Sequence, residues 1–118
     1  MVDDEEAIRI VAQKTLERYG YSVMLASNGA EAIALFAEYR DVISIVLTDM
    51  AMPVMDGPAT IFALKSMDPT VKIIGSSGLE TNGSVAKSIG LGVNYFVSKP
   101  YTAETLLKKL AEALSQPA

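Results

Sequence analysis

Strand and helix patterns alternate along the whole chain, with short connections between them. The strand patterns are brief apolar runs rich in β-branched residues, as at residues 42–49 and 72–76. The helical patterns repeat apolar residues at three- and four-residue spacing, as at residues 5–19. Strands that alternate with helices form a parallel sheet with right-handed crossovers, covered by helices on both faces. The sequence therefore predicts a doubly wound α/β fold, organised as a single domain over residues 1–118.

Local signals place the remaining elements. Gly20 can end the first helix in a left-handed conformation. Asn28 and Glu31 match a capping box that begins the second helix, which is expected to run to about residue 40. Pro58 suits the first turn of a third helix. Further helices are predicted at residues 82–89 and 102–115, and further strands at residues 21–27 and 95–98.

The first strand is unusually short, because only Met1 and Val2 precede the acidic residues that follow. A doubly wound sheet of this size has its first strand near the middle, so its loss would leave the neighbouring strands without hydrogen-bond partners. We therefore expect this strand to be truncated in the 118-residue chain, with further residues upstream in the natural protein. Alternatively, another copy of the chain fills the gap, which would give a homodimer.

The composition excludes several classes of function. The chain carries a net charge of −4 and has no cluster of Lys and Arg, so we expect no direct binding to nucleic acid. It contains no Cys and no His, which excludes disulfides, zinc sites built on thiolates or imidazoles, and a Ser-His-Asp triad. No apolar run is long enough to span a membrane and no signal peptide precedes the first acids, so we predict a cytoplasmic domain without membrane contact.

Polar side chains follow four of the predicted strands at the points where these strands end. They are Asp3 and Asp4, Asp49, the hydroxyl pair Ser76 and Ser77, and Lys99. Because the carboxyl ends of parallel strands meet at one end of the sheet, we expect these groups to lie together. Clustered carboxylates suit a hard dication such as Mg²⁺, and the lysine and hydroxyls suit the oxygens of a phosphoryl group. The sequence thus predicts a site for phosphoryl chemistry.

Four motifs in this chain resemble those of a known family. They are VDDE at residues 2–5, LTDMAMPVMDG at residues 47–57, IIGSSG at residues 73–78 and KP at residues 99–100. In this order and spacing they look like the signatures of the receiver domain of two-component response regulators. The resemblance implies a flavodoxin-like fold, in which a five-stranded parallel sheet of order 2-1-3-4-5 is flanked by five helices.

The resemblance also implies a role for each polar side chain. Asp49 matches the phosphoacceptor, which takes a phosphoryl group from the phosphohistidine of a histidine kinase or a histidine phosphotransfer protein. Asp4 matches a direct Mg²⁺ ligand and Asp3 a ligand through water, while the backbone carbonyl of Ala51 is a further ligand. Lys99 matches the cation that contacts the phosphoryl oxygens. Such a domain catalyses its own phosphorylation and dephosphorylation and is not an enzyme in the usual sense.

A second group of residues matches the switch of this family. Ser77 matches the hydroxyl that bonds a phosphoryl oxygen, and Phe96 matches the aromatic ring that turns inward when this hydroxyl moves. Pro100, which follows the lysine, is typically held in the cis form. Ala51 and Leu79 depart from the side chains that help to set the lifetime of the acyl phosphate, because neither can orient a water by hydrogen bonding.

Two alternative functions stay open. A phosphatase of the haloacid dehalogenase type also phosphorylates an Asp at a strand end, but it needs a general acid two residues later, where this chain has Ala51. A degenerate receiver would serve only as a protein-binding module. Taken singly, Asp3 and Asp4 could instead be helix caps, and Phe96 a plain core residue.

Overall fold

The computed structural model describes residues 1–52, 55–78 and 82–115, and contains five helices and three strands there. The helices are α1 (Glu6–Arg18), α2 (Gly29–Tyr39), α3 (Gly57–Met67), α4 (Asn82–Gly90) and α5 (Ala103–Ser115). The strands are β1 (Ile45–Asp49), β2 (Lys72–Ser77) and β3 (Tyr95–Ser98). Short apolar strands thus alternate with amphipathic helices after the first two helices, as the sequence pattern indicates.

The three strands form a parallel sheet in the order β1-β2-β3. Beyond β1 the sheet continues through single bridged residues, because Val2 pairs in parallel with Thr48 on one side and with Ala26 on the other. The spatial order is therefore the Ala26 segment, the Val2 segment, β1, β2 and β3. This is the predicted order 2-1-3-4-5, with the first strand reduced to one bridged residue.

The predicted strand at residues 21–27 is wrong in its extent. Only Ala26 is bridged, and residues 21–25 lie in an irregular segment. The cause is not local. A strand can form a ladder only along the length of its neighbour, and here only Met1, Val2 and Asp3 lie beside this segment. The next strand likewise begins at Ile45, where pairing with Lys72 starts, and the predicted first residue Val42 is 69% exposed.

Local capping follows the sequence closely. Gly20 has a φ of +93°, as predicted for the residue that ends α1. The Asn28 side chain accepts a hydrogen bond from the Glu31 amide at 2.9 Å, which begins α2. The Glu31 carboxylate, however, accepts from the hydroxyl and the amide of Ser27 and so closes the capping box one residue earlier than expected. At α3, Asp56 accepts from the Ala59 amide at 3.0 Å, so the turn before this helix has a capping role.

Two apolar clusters lie on opposite faces of the sheet and confirm the doubly wound fold. One packs α2, α3 and α4 and includes Phe36, Ile61, Leu64, Ile73 and Val93. The other packs α1 and α5 and includes Leu16, Leu47, Ile74, Leu106 and Leu110. Helices cover both faces, so the carboxyl end of the sheet is where loops and polar side chains meet. Within the described ranges, none of the helices combines the length and the apolar character that crossing a membrane requires.

Candidate functional site

Val2 fixes the position of the acidic residues at the carboxyl end of the sheet. Its amide donates to the Leu47 carbonyl at 2.7 Å, and its carbonyl accepts from the Asp49 amide at 2.9 Å. On the other side, the Asp3 amide donates to the Ala26 carbonyl at 3.1 Å. The backbone of the first strand is therefore held from both sides at the point where its acids begin, which brings Asp3 beside Asp49.

Asp3 and Asp49 are buried, whereas Asp4 is exposed. The Asp3 side chain is held by its own loop, because its Oδ1 accepts from the Glu5 amide at 2.9 Å. Each of the three aspartates can offer one carboxylate oxygen within 4.8 Å of the other two. Three oxygens at this separation form a donor set for a hard dication, and two of them come from side chains that the fold has already removed from water.

Lys99 bridges the two buried carboxylates. Its Nζ lies 2.9 Å from Oδ2 of Asp3 and 2.9 Å from Oδ2 of Asp49, and its side chain is only 19% exposed. The backbone of Lys99 is fixed beside β2, because its amide donates to the Ser77 carbonyl at 2.7 Å. The bond from Lys99 to Pro100 is cis, as expected. The Lys99 side chain, which follows β3, therefore joins the acids at the ends of two other strand segments.

The charges in this cluster depend on one another. Burial raises the pKa of the Asp49 carboxyl above its usual value, although the hydrogen bond and charge of Lys99 oppose this shift. Partial burial disfavours the Lys99 ammonium, but its contacts with Asp3 and Asp49 outweigh this effect and hold the pKa of Lys99 above its usual value. Lys99 therefore stays protonated at neutral pH. Its single positive charge offsets the negative charge of one of the two buried carboxylates beside it.

Two contacts of the site could not be read from the sequence pattern. Arg9, which lies on α1, donates from Nη1 to the Asp3 carbonyl at 2.7 Å. Met50 directly follows Asp49 and is completely buried, with its Sδ 3.3 Å from the Ser88 hydroxyl of α4. The only sequence signal for Met50 is that an apolar residue follows the acid, and Arg9 has no local signal because surface helices commonly carry arginine. Both residues fix the backbone around the acids.

Comparisons with known proteins agree with this geometry. The sequence model of the response regulator receiver domain family matches residues 1–111. The chain belongs to this family. It is 31% identical over 117 residues to "Sensor kinase CckA" of Brucella abortus (strain 2308), covering 98% of this chain and 12% of that protein. It is 29% identical over 116 residues to "Chemotaxis protein CheY" of Bacillus subtilis (strain 168), covering 98% of this chain and 95% of that protein.

The fold of the receiver domain is also found among solved structures. A response regulator receiver domain protein from Clostridium thermocellum superposes with a TM-score of 0.91 at 28% identity, covering 96% of this chain and 90% of that one. The resemblance inferred from the four motifs is thus confirmed. Because the chain spans only 12% of CckA but 95% of CheY, the similarity favours neither a receiver joined to a kinase nor a free-standing one.

The structure places the two predicted switch residues of the receiver domain on neighbouring strands. Ser77 ends β2, pairs with Ser98, and is half-buried beside the lysine backbone. Phe96 pairs with Gly75, and a Cβ added to that glycine would lie 2.7 Å from two carbons of the Phe96 ring. The glycine therefore makes the room that the half-buried ring uses. The roles of Ser77 and Phe96 stay predictions, and Leu79 lies outside the described residues.

Tyr101 is a further residue of the receiver site that the motifs do not indicate. Its hydroxyl is buried and has no hydrogen-bond partner among the residues that the structure describes. Burial, and then the charge of Asp3, raise the pKa of Tyr101 to about 12. The side chain also lines a groove that opens beside Asp49 and Lys99 and runs between α1 and α5. This groove has apolar walls, and Val11 on its α1 side is 65% exposed.

Proposed function

We propose that Asp49 of this receiver domain accepts a phosphoryl group from a phosphohistidine. A carboxylate oxygen of Asp49 attacks phosphorus, so that an O–P bond forms while the N–P bond breaks. The electron pair of that bond goes to the imidazole nitrogen, which takes up a proton, and Asp49 becomes an acyl phosphate. The observation that carries this proposal is the position of Lys99, whose Nζ lies 2.9 Å from the carboxylate that would be modified.

The residues at the carboxyl end fit a divalent cation. Their donors are carboxylate oxygens, which Mg²⁺ prefers, and the three lie within 4.8 Å of one another. Asp3, Asp4 and Asp49 would hold the ion, with the backbone carbonyl of Ala51 as a proposed further ligand. When bound, Mg²⁺ supplies positive charge that offsets the negative oxygens of the phosphoryl group.

Lys99 and Ser77 would hold the phosphoryl oxygens. Lys99 would exchange part of its contact with the Asp49 carboxylate for a contact with an oxygen of the new phosphoryl group. Its positive charge would then lie beside a negative oxygen both before and after the transfer. The Ser77 hydroxyl, at the end of the neighbouring strand, would donate to a second oxygen, and the Phe96 ring would move into the space that Ser77 leaves. The modification of Asp49 would in this way change the surface formed by α4, β3 and α5.

The phosphodonor is proposed to be a histidine kinase or a histidine phosphotransfer protein. The groove between α1 and α5 supports this, because its apolar walls begin beside Asp49 and can receive a partner helix next to the reacting group. Action in the cytoplasm, without direct contact with nucleic acid or membrane, and assembly as a homodimer stay predictions. A phosphatase of the haloacid dehalogenase type is disfavoured, because Ala51 has no proton to give to a leaving group.

The test is metal-dependent labelling with a small phosphodonor such as phosphoramidate or acetyl phosphate. Intact-mass measurement should show one added phosphoryl group on the native chain with Mg²⁺, and none with EDTA. Asp49→Asn should lose the label completely. Asp56→Asn is the matched control in the same loop, and it should keep the label because Asn can replace Asp as the cap of α3.

Mg²⁺ binding measured by calorimetry adds a readout that is independent of labelling. Asp49→Asn should bind Mg²⁺ more weakly than the native chain, since one of three ligands has lost its charge. Label that survives in Asp49→Asn, or that ignores EDTA, would contradict the proposal. Native protein that binds Mg²⁺ but takes no label would instead be a degenerate receiver, which acts only through protein binding.

A further inference from the structure

Three buried side-chain oxygens have no hydrogen-bond partner among the residues that the structure describes. They are Oδ2 of Asp3, Oγ of Ser76 and the hydroxyl of Tyr101. An unpaired buried polar group costs free energy, so native domains contain few of them. All three belong to residues at the carboxyl end of the sheet, at or next to the acidic site. Ser76 lies on β2, on the far side of β1 from Asp3, which leaves the Tyr101 hydroxyl as the group to consider beside Asp3.

The Asp3 and Tyr101 side chains lie on the same face of the sheet. Val2 packs into the apolar cluster of α2, α3 and α4. Side chains alternate between the two faces along an extended segment, so the next residue, Asp3, points to the face that α1 and α5 cover. Tyr101 packs against the apolar cluster on that face and lines the groove beside Asp49. The Tyr101 hydroxyl is therefore buried on the side of the site where Asp3 lies.

The charge of Asp3 acts on Tyr101. Apart from burial, Asp3 has the largest effect on the pKa of Tyr101, ahead of the opposing effect of Lys99 and the smaller effect of Asp49. A carboxylate raises the pKa of a nearby phenol because it disfavours the phenolate. Tyr101 therefore keeps its proton at neutral pH, and its hydroxyl is a donor that faces a negative charge.

Asp3 depends on Lys99 for the contact of its second oxygen. Oδ1 of Asp3 accepts from the Glu5 amide at 2.9 Å, whereas Oδ2 lies 2.9 Å from Nζ of Lys99. The same Nζ lies 2.9 Å from Oδ2 of Asp49, so one ammonium group serves both acids. A phosphoryl group carries about −1.5 to −2 charges at neutral pH, more than the carboxylate that it modifies, and so draws the ammonium towards itself. Oδ2 of Asp3 then loses its partner.

We propose that Tyr101 is a positioning residue for Asp3, and that its hydroxyl donates to Oδ2 of Asp3 when Lys99 turns to the phosphoryl group on Asp49. This inference rests on the function proposed above for Asp49. In the unmodified domain the hydroxyl stays unpaired and lowers stability. In the phosphorylated domain it bonds a carboxylate, which is a stronger contact than one between neutral groups. Asp3 thereby keeps its orientation towards the Mg²⁺ that it would help to hold.

The first experiment measures urea unfolding at pH 7 with EDTA and needs neither metal nor phosphoryl group. In the native chain, Tyr101→Phe removes an unpaired hydroxyl and should raise the urea midpoint by roughly 0.5 M. In the Lys99→Met chain, Oδ2 of Asp3 has lost the ammonium and should pair with the hydroxyl. Tyr101→Phe should therefore lower the midpoint of that chain. A hydroxyl that only fills space would give the same shift in both chains.

Two further chains secure this comparison. Tyr95→Phe is the matched control, because Tyr95 is half-buried against the same apolar cluster but begins β3, at the far end of the strand from Lys99. Its effect on the midpoint should be the same with and without Lys99. If Lys99→Met does not fold, the double variant with Asp49→Asn takes its place, because it leaves Asp3 as the single buried carboxylate of the pair.

The second experiment uses calorimetry with beryllofluoride, which mimics a phosphoryl group on an aspartate. With Mg²⁺ present, Tyr101→Phe should bind beryllofluoride about tenfold more weakly than the native chain, because it cannot donate to Asp3. Mg²⁺ alone should bind both chains with affinities within about twofold of each other, since Lys99 still faces Asp3. Tyr95→Phe should match the native chain in both titrations.

Three outcomes would overturn the proposal. A lower urea midpoint for Tyr101→Phe in the native background would show that the hydroxyl already has a partner. Equal shifts with and without Lys99 would show that the hydroxyl does not replace the lysine. Unchanged beryllofluoride affinity in Tyr101→Phe would show that Asp3 needs no further donor. A native chain that binds no beryllofluoride would instead contradict the function proposed for Asp49, and the urea comparison alone would then decide whether Tyr101 pairs with Asp3.

Discussion

The two ends of the sheet are built from the same strand segments but are stabilised in different ways. At the carboxyl end, side chains make the contacts, since Lys99 lies 2.9 Å from both Asp3 and Asp49. At the amino end, a cavity lies between residues 21–24 and residues 42–47, and none of the side chains that line it is acidic or basic. Val2 lies between the two and is bridged on both sides.

The comparison shows how little of the first strand the acidic site needs. Two ladder bonds of Val2 and one of Asp3 fix the backbone at the acids. We therefore expect changes at the amino end to alter the stability of the domain while leaving the geometry of the acidic site unchanged.

The largest expected effect is at the carboxyl end, from Lys99→Met. This change keeps the length of the side chain but leaves two buried carboxylates without their cation, so the free energy of unfolding should fall by about 3 kcal/mol. Urea unfolding at pH 7 measures it. The control is Lys109→Met, because Lys109 pairs with Glu112 at the surface, and its loss should cost less than about 0.5 kcal/mol.

A double variant sharpens this prediction. Adding Asp49→Asn to Lys99→Met removes one of the two unpaired charges, so part of the lost stability should return. If Lys99→Met alone is as stable as the native chain, the side-chain contacts at the carboxyl end do not stabilise the domain, and the contrast between the two ends disappears.

A smaller effect, of opposite sign, is expected from Tyr101→Phe. The Tyr101 hydroxyl is buried without a hydrogen-bond partner among the described residues, so its removal should raise the free energy of unfolding by about 1 kcal/mol. Tyr19→Phe is the control, since Tyr19 is 62% exposed and its hydroxyl meets water. A loss of stability in Tyr101→Phe would mean that the hydroxyl has a partner that stabilises the folded state.

The smallest expected effect separates the two ends by pH. Burial lowers the pKa of the Met1 amino group from 8.0 to about 6, so protonation of this group disfavours the folded state. Its effect on the free energy of unfolding is therefore absent above pH 8, and stability is lost as the pH falls towards 6. Acetylation of Met1 should remove this loss. The pKa of Lys99 is raised, so its contribution is present below its ordinary value of 10.5 and lost as pH rises above it.

Unfolding curves at intervals between pH 6 and pH 11 test both statements together. The native and acetylated chains should differ only on the acid side, and the native chain and Lys99→Met should approach each other only on the alkaline side. Equal acid sensitivity of the native and acetylated chains would show that the Met1 amino group is not responsible for the acid loss.

The sequence was sufficient for features that depend on local patterns. Alternating strands and helices predict the doubly wound sheet, and acids at the strand ends predict that Asp3, Asp4 and Asp49 meet. The extent of the segment at residues 21–27 could not be predicted in this way, because a strand exists only where a neighbour pairs with it. The same holds for Tyr101, since the sequence shows a hydroxyl but not whether the surrounding packing leaves it a partner.

Lys99 lies 50 residues after Asp49 along the chain, and this separation has a consequence for protein synthesis. Both acids leave the ribosome well before the lysine, and until β3 pairs with β2 no cation lies between them. Contacts this distant in sequence form late in folding, because closing a long loop costs entropy before the contact is made. We therefore expect a nascent receiver to complete its acidic site only when β3 has docked against β2.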